Sequence, residues 1–140
     1  MQFKKYRKSF TLIEILIVMI IIGALAVLAV PRYFNTTEKM RSQEAVHTLT
    51  TLYAAQKRYY VDNGSYKVGT GPSKQLAAGD LDIDIPASGN FNTPKIDNNA
   101  GNVAEITRTG STYTLSMDAS GGFHCSPSPP SICSRMGYPP

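Results

Sequence analysis

The run from Phe10 to Val30 constrains this chain most, because Thr11 and Glu14 are its only polar side chains. About 20 apolar residues cross a hydrocarbon core of roughly 30 Å as a helix. A helix lying on a water-soluble domain needs a polar stripe, and this run has none. The basic residues Lys4, Lys5, Arg7 and Lys8 stand just before it. By the positive-inside rule they predict a cytoplasmic N-terminus and an outward-facing remainder. Four of the 14 basic residues belong to that cluster, so ten remain against ten acidic ones, and the net charge of +4 resides in the leader. A basic chain ordinarily raises the question of nucleic acid, but here the excess charge sits at a membrane-targeting position. No specific nucleic-acid partner is expected.

Two ordinary explanations compete for the run. A secretory signal peptide has a basic start, an apolar stretch and a small-residue cut site, for which Ala24-Leu25-Ala26 qualifies. The run begins directly at the basic cluster and is longer than a typical signal core. A plain signal anchor accommodates the length but gives Glu14 no purpose. An acid at the centre of a membrane helix costs about 2.5–3.5 kcal/mol on insertion scales, and less toward the end where Glu14 lies. An intramembrane acid is a functional candidate that asks for a cationic partner.

The stretch KSFTLIEILIVMIIIGALAVLAVP resembles the N-terminus of type IV pilins and the related type II secretion pseudopilins. The resemblance implies a basic leader, residues 1–9, removed by a prepilin peptidase between Ser9 and Phe10. The family's usual Gly before the cut is Ser9 here. It further implies N-methylation of Phe10 and pairing of its new amine with Glu14 of a neighbouring subunit, which would set the stagger of assembly. Gly23 and Pro31 also match the family pattern and imply a segment that unwinds in the filament. Independently, Gly23 is a poor helix former, and Pro31 lacks an N–H and clashes with the carbonyl of Val27. In an isolated subunit the expectation is a kink in a continuous helix.

After Pro31 the pattern predicts an amphipathic helical half over 31–61. Its stripe is Val46, Leu49, Tyr53 and Tyr60, broadened by Leu52 and Tyr59. Glu38, Lys39, Arg41, Gln43 and Lys57 are placed on the wet side, and His47 has a packing or surface role. Asp62-Asn63-Gly64 supplies the stop, with a left-handed cap. The head, 62–140, is expected to open with an irregular stretch, 65–100, holding one helical turn near Ser73–Ala78. Two strands, Val103–Arg108 and Thr112–Asp118, would be joined by a tight turn at Thr109-Gly110-Ser111, with a third near Gly122–Cys125. The fold class is α+β: a long helix packed on a small antiparallel sheet, a layout resembling the pilin fold.

Cys125 and Cys133 bracket SPSPPSI on the side placed outside the cytoplasm, where disulfides persist. Their pairing resembles the family's C-terminal disulfide loop. A metal site using His124 with both cysteines is the alternative, and it is short of ligands. Asp80, Asp82 and Asp84 alternate, which reads as a solvated acidic edge; the EF-hand spacing lacks its Gly and final Glu. No nucleophile, base and orienter come together, nor does any phosphate loop. The expectation is a structural protein without catalytic, metal or cofactor sites. It waits in the inner membrane, is processed by the peptidase, and is stacked by the assembly machinery into an extracellular pilus filament. Its partners are copies of itself. A secretion pseudopilin and a non-polymerising anchored domain are the rivals.

Overall fold

The computed structural model describes residues 10–98, 101–110, 113–126 and 131–138. The chain divides into two compact units, one ending at Asn35 and one beginning at Thr36. The first contains the start of helix α1, Leu12–Asn63, which runs unbroken past Pro31. The sequence accounts for this continuity. Leu28, Ala29 and Arg32 beside Pro31 are good helix formers, and a single proline removes only one backbone hydrogen bond. At the other end Gly64 takes φ +70°, and its N–H donates to the Tyr60 carbonyl at 2.8 Å. The predicted left-handed cap is there, two residues later than the predicted end at Val61.

In the second unit α1 buries Ser42, Ala45, Leu49, Leu52, Ala55 and Gln56. The predicted stripe is therefore off by a fraction of a turn. Leu49 and Leu52 are fully enclosed, Tyr53 and Tyr59 are partly buried, and Tyr60 is 44% exposed. Ser42, Ala45 and Ala55 have little side chain, so the helix can lie close to its neighbours along that line. The tyrosines flank the contact and keep their polar ends wet. Gln56 is wholly buried yet satisfied. Its Nε2 donates to the carbonyls of Lys67 at 2.8 Å and Val103 at 3.1 Å, and its Oε1 accepts from the Lys67 N–H at 2.9 Å.

Four strands, β1 (Lys95–Ile96), β2 (Ala104–Thr107), β3 (Thr114–Met117) and β4 (Phe123–Ser126), form an antiparallel sheet in the order β1-β2-β3-β4. The three predicted strands are present within one or two residues. Strand β1 lies in the stretch expected to be irregular, and its two residues are too few to show periodicity. Ile106 pairs with Leu115 and Leu115 with Cys125, so the inward side chains line up across the sheet. The alternation Ala104, Ile106 and Leu115, Met117 buries one face. Gly110 takes φ +65° at the β2–β3 turn, whose Ser111 lies outside the described residues. A three-residue turn, Pro72–Lys74, overlaps only the start of the helical turn expected near Ser73–Ala78, and Ser73 and Lys74 in it take left-handed φ of +53° and +63°. A short helix α2, Ser131–Met136, was not foreseen. The Cys125–Cys133 disulfide joins β4 to α2, and Tyr138 beyond it hydrogen-bonds Ser42 and Gln43 of α1.

Two surface assignments need correction. Glu38 is not simply wet: its Oε1 accepts from Arg108 Nε at 2.6 Å and from the Tyr113 hydroxyl at 2.8 Å. Burial works to raise its pKa, but the bonds from Arg108 and Tyr113 hold the carboxyl below the ordinary range. Arg108 follows directly on β2 and reaches Glu38 of α1. The aspartates do not form one acidic edge either. Asp80 is 6% exposed and accepts from the N–H and hydroxyl of Thr70 and from the Ala77 N–H, at 2.8–2.9 Å. Asp82 sits at φ +52°, outside extended backbone, so the period-two reading does not apply.

Candidate functional site

The candidate site is the start of α1. Phe10 and Thr11 precede the helix, and Leu12 opens it. The Thr11 carbonyl accepts from Glu14 N at 3.2 Å, and its hydroxyl accepts from the same N–H at 3.3 Å. Thr11 thereby caps the helix, satisfying one of the four N–H groups that a helix start leaves without a partner. Thr11-Leu12-Ile13-Glu14 has the spacing of a capping box, S/T-x-x-E ahead of an apolar run. The sequence reading took Glu14 for its charge alone and missed Thr11, although the signal was legible. Glu14 also lies in the first turn, where the helix dipole favours a carboxylate.

Around and beyond it the apolar surface is uncovered. Between Phe10 and Val30 the large apolar side chains are 47 to 84% exposed. Among the described residues this is the one helix long and apolar enough to cross a membrane, and none of its 18-residue apolar window is buried. A helix that is apolar on all sides and touches nothing needs lipid or other apolar helices around it. Gly23 has no atom within 4 Å of where a Cβ would stand, so packing within this chain does not demand glycine there. Ser9, the other side of the expected cut, lies outside the described residues.

The expected disulfide and the residues of the alternative metal site lie in the head. Cys125 and Cys133 are bonded to each other, which leaves no thiolate for the alternative metal site. His124 Nε2 instead meets Asp118 Oδ2 at 2.9 Å. Asp118 organises the β3–β4 turn, accepting from Ser120 N at 2.8 Å and Gly122 N at 2.9 Å. These bonds, with Ser120 the largest contributor and His124 next, hold its carboxyl well below the usual range. No group of three His, Cys, Asp or Glu able to hold a metal occurs among the described residues. A groove of about 520 Å³ lies between α1 at Glu44, His47, Thr48 and Thr51 and the stretch from Asp84 to Pro94. His47 is exposed on its wall.

Residues 4–30 match the prokaryotic N-terminal methylation motif. The chain is similar to the type IV major pilin protein PilA of Myxococcus xanthus, 32% identical over 107 residues, covering 63% of this chain and 49% of that protein. It is similar to the type II secretion system core protein G of Escherichia coli, 42% identical over 60 residues, covering 43% and 41%. It is also similar to the fimbrial protein EcpC of Eikenella corrodens, 33% identical over 106 residues, covering 76% and 64%. The matched stretch thus spans about half the length of the first of these relatives. No solved structure matches the chain.

Proposed function

We propose that this chain, which belongs to the type IV pilin family related to the type II secretion pseudopilins, is a structural subunit that polymerises into a type IV pilus filament. One observation carries the reading: a long helix whose apolar surface is bare on every side, preceded by a methylation motif. Residues 1–9 are the leader, and prepilin peptidase cuts between Ser9 and Phe10. The precursor rests in the inner membrane through residues 10–30, and residues 31–61 and the head at 62–140 face outward. Cutting creates an α-amino group on Phe10, which is then methylated. Glu14 follows four residues later and supplies the opposite charge. In the low-dielectric core of a helix bundle, an unpaired amine or carboxylate is costly. Neighbouring subunits therefore settle where the Glu14 of one meets the Phe10 amine of the next. Gly23 and Pro31 weaken the helix between these ends, giving a stretch that can unwind as subunits pack. The role is structural rather than catalytic.

The second reading is a pseudopilin of a type II secretion system, favoured by the higher identity to core protein G. The longer matches to PilA and the fimbrial protein favour the pilus, as do the bracketing cysteines. Electron microscopy of sheared surface material, beside a secretion assay in a deletion strain, separates them. Surface filaments lost on deletion with secretion intact support the pilus. Lost secretion without surface filaments supports the pseudopilus. Neither defect would point to an anchored domain that never polymerises. The filament would serve adhesion, twitching motility or DNA uptake.

A further inference from the structure

We propose that Tyr33 and Phe34 anchor the membrane-resident subunit at the outer bilayer interface, a lipid-binding role that rests on the membrane reading above. The run from Leu12 to Val30 contains no aromatic residue, and Tyr33 and Phe34 are the only aromatics of α1 before Tyr53. Both stand just past the end of the apolar run, beside Arg32. They are 68% and 65% exposed, and their rings meet edge-on with centroids 6.2 Å apart.

Length places them at the boundary. At 1.5 Å per residue the helix covers roughly 32 Å from Leu12 to Tyr33, against a hydrocarbon core of roughly 30 Å. With Leu12 at the inner edge, the aromatic pair reaches the level of the outer headgroups. The Tyr33 ring favours that level because its apolar body and its hydroxyl are both accommodated there, the Phe34 ring packs edge-on against it on the acyl side, and the Arg32 guanidinium beside them belongs at the level of the phosphates. The occupant is thus the headgroup and acyl boundary of a bilayer. The pair would fix the depth of the span from outside, while Glu14 lies near its inner edge.

The chain has no Trp, so a single Trp reports cleanly. Three full-length variants, Tyr33→Trp, Phe34→Trp and Ile20→Trp, would be placed in phosphatidylcholine vesicles carrying brominated acyl chains. For Tyr33→Trp and Phe34→Trp, bromines near the carbonyls should quench about twofold more than bromines near the chain ends, and Ile20→Trp should show the reverse. Quenching of both boundary variants by aqueous iodide and not by lipid, with Ile20→Trp quenched deep, would overturn the anchor and leave the membrane span intact. Shielding from both iodide and bromine would assign the pair to contact with another protein copy and equally overturn it. An Ile20→Trp that lipid bromines do not touch would overturn the membrane reading and the anchor with it.

Discussion

Glu14 stands in one place in the subunit and is proposed to meet a second partner in the filament. In the subunit it sits in the first turn of α1, its own N–H held by Thr11. In the proposed filament it meets the Phe10 amine of a neighbour. Substitutions separate the two. Thr11→Val keeps the size and removes the cap, which costs about 1 kcal/mol at a helix start. It should fray the first turn, seen as faster amide exchange at Ile13 and Glu14, while filaments still form. Glu14→Ala should leave the precursor in the membrane but abolish filament assembly, scored by electron microscopy. Normal filaments from Glu14→Ala would sink the pairing role. In the head, Asp80 predicts an acid sensitivity. Burial raises its pKa, but the Thr70 and Ala77 bonds win and depress it below the unfolded value of about 3.9. A depressed carboxylate stabilises above the unfolded pKa and loses that contribution as pH falls through the folded one. The melting temperature should therefore drop as pH falls below about 4, and Asp80→Asn should flatten that drop. An unchanged profile in Asp80→Asn would remove Asp80 as the cause.

At the scale of elements, α1 and the sheet were legible for different reasons. The apolar run and the cap at Asn63-Gly64 are local signals, set by composition and backbone conformation. The strands were legible because Ala104, Ile106, Leu115 and Met117 alternate. The buried face of α1 was less so. Hydrophobicity pointed to Tyr53 and Tyr60, but closeness of packing selected Ala45, Ala55 and Gln56, and a buried Gln depends on carbonyls contributed from distant sequence. Strand β1 and the Glu38–Arg108–Tyr113 cluster arise the same way, from pairings between residues far apart in the chain. The cluster should be sensitive: Glu38→Ala leaves Arg108 and the buried Tyr113 hydroxyl short of a partner, at a cost of about 1–3 kcal/mol read by denaturant unfolding. Gly23 should behave oppositely. Gly23→Ala meets no atom in this chain and stabilises the helix by about 1 kcal/mol, so the free subunit should keep or gain helicity. Filament yield should fall, because the stretch proposed to unwind is stiffer. Full assembly by Gly23→Ala would argue that no unwinding is needed there.

For the molecule as a whole, the N-terminal unit is legible from its composition, and its large apolar side chains between Phe10 and Val30 are 47 to 84% exposed. The head was legible in layout and in its Cys125–Cys133 bond, but α2 and the Tyr138 contact with α1 emerge only once the chain is folded. In the proposed function a bond before Phe10 is cut and the shortened chain builds the filament. Intact-mass spectrometry of subunits from purified surface filaments tests this directly. The expected mass is that of residues 10–140 with one methyl group on the Phe10 amine and the Cys125–Cys133 bond oxidised. A filament subunit that retains Met1, or one that begins at Val27, would contradict it.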